Sequence, residues 1–317
     1  MRIVYLGGGE FGIQCLDALA QSSHSLEFIV TQPARQAGRG RKPTPTPVAD
    51  WANAHSVPFV ETENVNSPEM LQKIAGHKPD LIVVAAFGQK IGNELIKLPP
   101  KGIINVHASL LPKYRGAAPI NWAIIRGETE TGICIITVAE KMDAGEILGR
   151  VATNIEPDET AGHLHDRLAG LAAPLLLETL DKIANGTVIY EKQDHSKATL
   201  APKLKKSDGF LDFVEPAGAL QRKIRGLWPW PGASAVYVSQ KTEKSLRVTI
   251  AMAQAVKTSS PAHLPAGTFD ENLNVLCGED ALKIMRIKPD GSGLMDFKDF
   301  VNGRQTRAGD KLATIKS

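Results

Sequence analysis

The sequence predicts an α/β doubly wound, Rossmann-like N-terminal domain followed by a small, OB-like C-terminal β-barrel domain. Three observations carry that expectation. A chain of 317 residues exceeds the usual span of one hydrophobic core. Roughly the first two hundred residues alternate strand-length apolar runs with helical stretches, as a mostly parallel sheet requires. Beyond them the pattern changes to short strands joined by Gly, Pro, Asn and Asp, the habit of a small barrel. The expected boundaries are an α/β domain over 1–202, a linker over 203–209 and a barrel over 210–317.

The elements follow in order. A strand over 2–6 runs into Gly7-Gly8-Gly9 and then a helix with Phe11, Cys15, Leu16 and Leu19 on one face. Strands are expected over 26–30, 57–60 and 80–87, the last continuously apolar as a strand buried on both faces should be. Helices are expected over 47–55 and 68–77. Next come a strand over 102–106, a helix over 118–126, and a strand over 132–139 with an antiparallel partner over 146–154. The long amphipathic helix over 160–184 contains Pro174, which predicts a kink or break. In the second half a helix over 216–227 precedes strands over 233–238, 246–255, 273–277 and 281–288, with a Pro/Gly turn at 265–267.

Composition narrows the function class. Hydrophobic residues at 43% and charged residues at 22% suit a globular protein, and no run approaches the roughly 20 apolar residues of a membrane span. The N-terminus has no secretion pattern, so a cytoplasmic protein is expected. Cys15, Cys134 and Cys277 are scattered in apolar contexts and read as buried thiols of a reducing compartment. Net charge is +3, but residues 206–317 hold 16 Lys and Arg against 12 Asp and Glu, a mild surplus that permits a polyanionic partner. Gly7, Gly9 and Gly12 have the spacing of a dinucleotide fingerprint. The acidic residue expected some 20 positions on is missing, so a tight strand-to-helix turn is the better account.

Chemistry concentrates in the run from Ile103 to Pro112. In a strand, residues two apart face the same side, so Asn105 and His107 point together at the strand's carboxyl end. A histidine there can relay a proton near neutral pH, and an asparagine amide can donate to an oxygen that becomes negative. The plain alternative is a core histidine satisfied by hydrogen bonds. Asp143 follows another apolar strand, so it is expected at the same sheet edge, where its carboxylate would fix the histidine tautomer. A turn-capping role is its alternative.

Those residues carry a family resemblance. Asn105-Val106-His107-Ala108-Ser109-Leu110-Leu111-Pro112 continues as Lys113-Tyr114-Arg115-Gly116-Ala117-Ala118-Pro119-Ile120, sixteen residues in all. The run resembles the formyltransferases that use N10-formyltetrahydrofolate. The resemblance implies a catalytic set of Asn105, His107 and Asp143, with Ser109, Leu110, Leu111 and Pro112 as the folate-binding turn. It also implies 10-formyltetrahydrofolate as co-substrate; no metal-ligand cluster is visible in the sequence, so no metal is expected.

Within that family, the stretch from Thr31 to Lys42 is similar to the inserted loop of the branch that formylates methionyl initiator tRNA. Arg35, Arg39, Arg41 and Lys42, with no acid among them, suit phosphate contacts, although a solvated charged loop would look the same. Trp228-Pro229-Trp230-Pro231-Gly232-Ala233 resembles the Trp-Pro element of that branch's C-terminal domain. The resemblance therefore implies tRNA contacts from Arg39, Arg41 and Lys42, and from Lys203, Lys205 and Lys206. Nothing in the sequence demands a dimer, so a monomer is expected, and no membrane partner. Two departures are visible: Gly8-Gly9-Glu10 and Gln89-Lys90-Ile91-Gly92 both differ from the family pattern. Rival readings are the same chemistry on another amine, such as a purine precursor or sugar nucleotide, a folate hydrolase, or a nucleic-acid-binding module with an inactive enzyme domain.

Overall fold

A computed structural model describes residues 1–37, 42–258 and 264–315. The chain divides into two compact units. The first comprises Met1–Pro119, Glu130–Asn154 and His165–Pro202; the second comprises Ile120–Thr129, Ile155–Leu164 and Lys203–Ser317. No helix among the described residues is long and apolar enough to cross a membrane.

The first unit contains β1 (Arg2–Gly7), β2 (Ser25–Thr31), β3 (Arg35–Ala37), β4 (Lys42–Thr44), β5 (Phe59–Glu61), β6 (Leu81–Ala85), β7 (Ile103–His107), β8 (Arg115–Gly116), β9 (Glu130–Thr137), β10 (Ile147–Asn154) and β11 (Leu200–Ala201). Seven of these form one sheet in the order β10-β9-β7-β6-β1-β2-β5. The five strands from β7 to β5 are parallel, and β9 and β10 are antiparallel additions. Because β1 continues to β2 on one side and the chain returns to β6 on the other, the sheet order reverses at the carboxyl ends of β1 and β6. A doubly wound sheet binds its ligand at such a reversal. Residues of β1 and β6 are buried on alternate sides alike, which explains their unbroken apolar runs.

Helices α1 (Ile13–Ala20), α2 (Pro47–Ala54) and α3 (Pro68–Gly76) connect the parallel strands. Thr46-Pro47 and Ser67-Pro68 start the latter two in the same way. Each hydroxyl accepts from an amide three residues on, at Ala49 and Met70, and proline takes a position whose amide hydrogen has no helical partner. Short α4 (Asn93–Ile96) and α5 (Pro119–Ile125) follow, then α6 (Ala161–Ala184). Pro174 does not break α6. Buried Leu168, Ala172, Leu176 and Leu180 lie on both sides of it, and their burial offsets the roughly 3 kcal/mol that an interior proline costs.

The glycine run after β1 has an internal explanation. Tyr5 is fully buried and its hydroxyl donates to the Gly12 carbonyl at 3.0 Å. A Cβ at Gly7 or Gly12 would overlap the Tyr5 ring or its hydroxyl. These two glycines make room for the protein's own phenol.

The second unit contains helix α7 (Ala217–Leu227) and strands β12 (Ala233–Val238), β13 (Ser245–Val256), β14 (Val275–Leu276), β15 (Ala281–Pro289), β16 (Met295–Asp296) and β17 (Lys311–Ala313), with α8 (Phe297–Arg304) before the last strand. All the strand pairs are antiparallel, in the order β14-β15-β13-β12-β17, with β16 on β15. Both open edges are bridged to one segment, Phe269 to Val275 on β14 and Thr268 to Lys311 on β17, which nearly closes the barrel. Leu220 and Ile224 of α7 pack with Tyr237, Ile250, Phe269 and Phe300 in its core. Residues 203–209 are built into this unit: Leu204 is buried, and Lys206–Gly209 form a 3-10 turn closed by Lys205 N–H donating to Asp208 at 2.6 Å.

Several further elements lie where sequence reading placed none, among them the short α4, β8, β11 and β16. The stretch 31–42, expected as a loop, contains β3, which pairs with β4 beginning at Lys42. Helix α8 and strand β17 complete the barrel. Burial pushes the thiols of Cys15 and Cys277 up to about 12 and that of Cys134 up to about 11, so all three stay protonated at neutral pH.

The barrel also holds a buried carboxylate. Asp310 is fully buried and accepts from the Tyr237 hydroxyl at 2.6 Å, from Gln240 N–H at 2.8 Å and from Arg307 N–H at 3.1 Å. Burial first, and then this carboxylate, raise the Tyr237 hydroxyl pKa above its usual value. Replacing Asp310 strands three donors, so Asp310→Ala is expected to cost about 2–4 kcal/mol in urea unfolding, against about 1 kcal/mol for Tyr237→Phe. Equal losses in the two variants would contradict this account.

Candidate active site

Strand β7 ends at His107, which is 5% exposed; Asn105, two residues earlier, shares its face and is half-buried. His107 Nε2 lies 3.0 Å from the Tyr114 carbonyl. A carbonyl only accepts, so Nε2 carries the hydrogen and Nδ1 is the nitrogen left for chemistry. Nδ1 faces Asp143 Oδ2 at 3.8 Å. That is too long for a hydrogen bond, and contraction by about 1 Å on ligand binding would make one. The Asn105 carboxamide makes no hydrogen bond to the described residues, so its donors are uncommitted.

Asp143 arrives by a different route from the one the sequence suggests. Strand β9 is antiparallel to β7, with His107 opposite Cys134 and Ile104 opposite Thr137. The loop after β9 therefore leaves from the far end of β7, where Val138 N–H donates to the Ile103 carbonyl at 2.8 Å. It must fold back to bring Asp143 to His107. The turn that does so puts Asp143 in the left-handed region, at φ +49°, and follows it with Ala144-Gly145. A Cβ at Gly145 would overlap the Thr137 carbonyl, so the turn can close only with glycine there. Gly116 N–H donates to Asp143 Oδ2 at 2.8 Å and orients the carboxylate.

The Tyr114–Gly116 segment thus touches both ionisable groups, through the Tyr114 carbonyl and the Gly116 amide. It is held in turn by residues 199–201. Thr199 Oγ1 accepts from Tyr114 N–H at 2.9 Å, the Thr199 carbonyl accepts from Arg115 N–H at 2.9 Å, and β8 pairs with β11. Sequence reasoning assigned nothing to 185–202, because a short irregular stretch after a long helix has no periodicity to read.

The other candidates separate into inward and outward residues. Ser109 is 1% exposed and its hydroxyl donates to the Lys113 carbonyl at 2.7 Å, so it closes the turn. Leu111 packs against Cys134, Ile136 and Ile147. Leu110 and Pro112 keep part of their surface exposed. Lys42, Lys203, Lys205 and Lys206 are exposed. Arg39 and Arg41 lie outside the described residues. Gln89 and Asn66 are spent on the fold: Gln89 bonds Val65 N–H and the Thr62 carbonyl, and Asn66 bonds Gly92 N–H and the Lys90 carbonyl. Among the described residues no group of three or more His, Cys, Asp or Glu is placed to hold a metal ion. Chemically, the arrangement offers an uncommitted amide, a histidine whose Nδ1 is not committed to a hydrogen bond, and an oriented carboxylate beside it.

Comparison with known proteins gives this arrangement a context. Residues 1–180 match the formyl transferase family model, and residues 203–305 match the model of the formyl transferase C-terminal domain. A methionyl-tRNA formyltransferase of Solibacter usitatus is 41% identical over 315 residues, covering 98% of each chain. One of Caldanaerobacter subterraneus subsp. tengcongensis is 42% identical over 310 residues, covering 98% of this chain and 99% of that one. Among solved structures, HypX from Aquifex aeolicus in complex with tetrahydrofolic acid aligns with a TM-score of 0.63 at 16% identity, a likeness of fold. That alignment covers 95% of this chain and 47% of HypX, so the chain spans about half of that protein. Matched by family models in both halves and by relatives along its whole length, the chain belongs to the formyl transferase family, in its methionyl-tRNA formyltransferase branch.

Proposed function

We propose that the protein transfers the formyl group of 10-formyltetrahydrofolate to the α-amino group of methionyl initiator tRNA, giving N-formylmethionyl-tRNA. The observation that carries this reading is the 41–42% identity, from end to end, with proteins named methionyl-tRNA formyltransferase. The reaction is attack of an amine on a formyl carbon. It needs a donor for the oxygen that becomes negative, a path for the proton the amine loses, and a proton for the folate N10 as the bond between it and the formyl carbon breaks.

Asn105 supplies the donor, and loss of one such group typically costs about 10²–10³ in rate. His107, its Nε2 committed to Tyr114, acts through Nδ1. Protonated there it is the second donor to the developing oxyanion; neutral, it accepts a proton. Asp143 stabilises the protonated form and relays the amine's proton. The partly exposed Leu110 and Pro112 offer the apolar edge that a pteridine ring would meet, while Ser109 and Leu111 hold the turn in shape.

The nucleic-acid side rests on charge. Arg39, Arg41 and Lys42 grip the acceptor stem, and Lys203, Lys205, Lys206 and the barrel hold the body of the tRNA, in a monomeric cytoplasmic enzyme. A domain of residues 1–202 carries the chemistry, and one of 210–317 carries the tRNA.

Labelled 10-formyltetrahydrofolate incubated with initiator Met-tRNA and the folded protein is expected to yield labelled formylmethionine after deacylation. No transfer would sink the assignment. His107→Ala and Asp143→Asn are each expected to lower kcat by about 10²–10⁴ while tRNA retention on filters is unchanged. Arg39→Ala is expected to raise the KM for tRNA and to reduce the slope of log affinity against log salt by about 1, with the folate KM unaffected. Unaltered tRNA kinetics would reduce that loop to a solvated charge run.

A further inference from the structure

We propose that Gln193, oriented by Arg115, is a positioning residue that sets the Asp143 carboxylate against His107. The inference rests on the roles just given to Asp143 and His107. Gln193 lies beyond the stretch matched by the N-terminal family model, which ends at residue 180. It is 8% exposed, and its amide is fully used. Nε2 donates to the Asp143 carbonyl at 2.8 Å and to the Gly145 carbonyl at 2.7 Å. Oε1 accepts from Arg115 Nε at 3.2 Å and from Arg115 Nη2 at 2.6 Å.

The amide can sit only one way round. Carbonyls only accept and a guanidinium only donates, so a flipped Gln193 would face both sets of partners with the wrong groups. Arg115 is 4% exposed, and its side chain contacts an amide oxygen and, through Nη2, His195 Nδ1 at 2.8 Å, with no carboxylate among the described partners. A buried cation with only neutral partners is costly to keep, and a merely structural crosslink could be made with a neutral side chain. Here the cation polarises the amide, which strengthens its two bonds to the Asp143 turn.

One dipeptide therefore controls Asp143 from two directions. Arg115 acts through Gln193 on the backbone on both sides of Ala144, and Gly116 N–H holds the carboxylate directly. Asp143 has a left-handed backbone, which a non-glycine residue leaves readily when released. Gln193 restrains it, and with it the gap between Oδ2 and Nδ1.

The test is Gln193→Glu, which keeps size and the Arg115 contact but turns a carboxylate onto two carbonyls. A carboxylate misplaced by about 1 Å is expected to lower kcat by about 10–100-fold, with KM for tRNA and for the folate changing less than about threefold. Arg115→Lys, which keeps the charge and loses the two-point contact, should give a smaller loss of the same kind. Asp143→Asn is measured in parallel. If it keeps full activity, the catalytic reading fails, and this inference fails with it. If it loses activity while Gln193→Glu and Arg115→Lys retain wild-type kcat, only the positioning role is overturned. Failure of both Gln193→Glu and Arg115→Lys to fold, judged by urea unfolding, or a loss confined to KM, would make the pair a structural prop and also overturn it.

Discussion

The Tyr114–Gly116 segment carries a constraint on which the rest of the site depends. Its first carbonyl selects the His107 tautomer, its last amide fixes the Asp143 carboxylate, and the side chain between them reaches the Asp143 backbone through Gln193. Each link is modest alone, about 1 kcal/mol net for a bond between neutral groups and roughly 1.5–3 kcal/mol for the one to the Asp143 carboxylate. Their effect comes from sharing three consecutive residues, so that the positions of an imidazole and a carboxylate from distant parts of the chain are set by one piece of backbone. Tyr114 itself has φ +63°, another left-handed residue, held in place by Thr199 and by the pairing of β8 with β11.

Much of this architecture can be read from residue order. The apolar runs of β1 and β6, the Thr46-Pro47 and Ser67-Pro68 helix starts, and the antiparallel pairing of β9 with β10 all follow from local chemistry, and the strand period alone puts Asn105 and His107 on one face. The direction of β9 does not follow. Its apolar pattern is the same whichever way it runs, and only the register with β7 reveals that the Asp143 loop must double back. Gln193 and Thr199 are invisible for a related reason: Gln193 Nε2 and Thr199 Oγ1 bond backbone groups 48 to 85 residues away, and a backbone group has no sequence signature. Arg115, whose partners are the side chains of Gln193 and His195, is linked to them across a similar distance.

The barrel shows the same division. Its long strands β13 and β15 are evident from alternation, but closure depends on single bridges made by Thr268 and Phe269, too short to leave a pattern. Those bridges matter out of proportion to their length. Without them β14 and β17 would each present an unpaired edge, the usual starting point for unwanted strand addition.

The buried Tyr5 has a consequence for reading proteins of this shape. Three glycines at nucleotide-binding spacing invite the expectation of a pyrophosphate over the helix start, yet here the room that Gly7 and Gly12 provide is already taken by a phenol from the preceding strand. What distinguishes a vacant glycine turn from a filled one lies outside the glycines, two positions before the first of them. A large aromatic there turns the loop into a socket for the chain's own side chain.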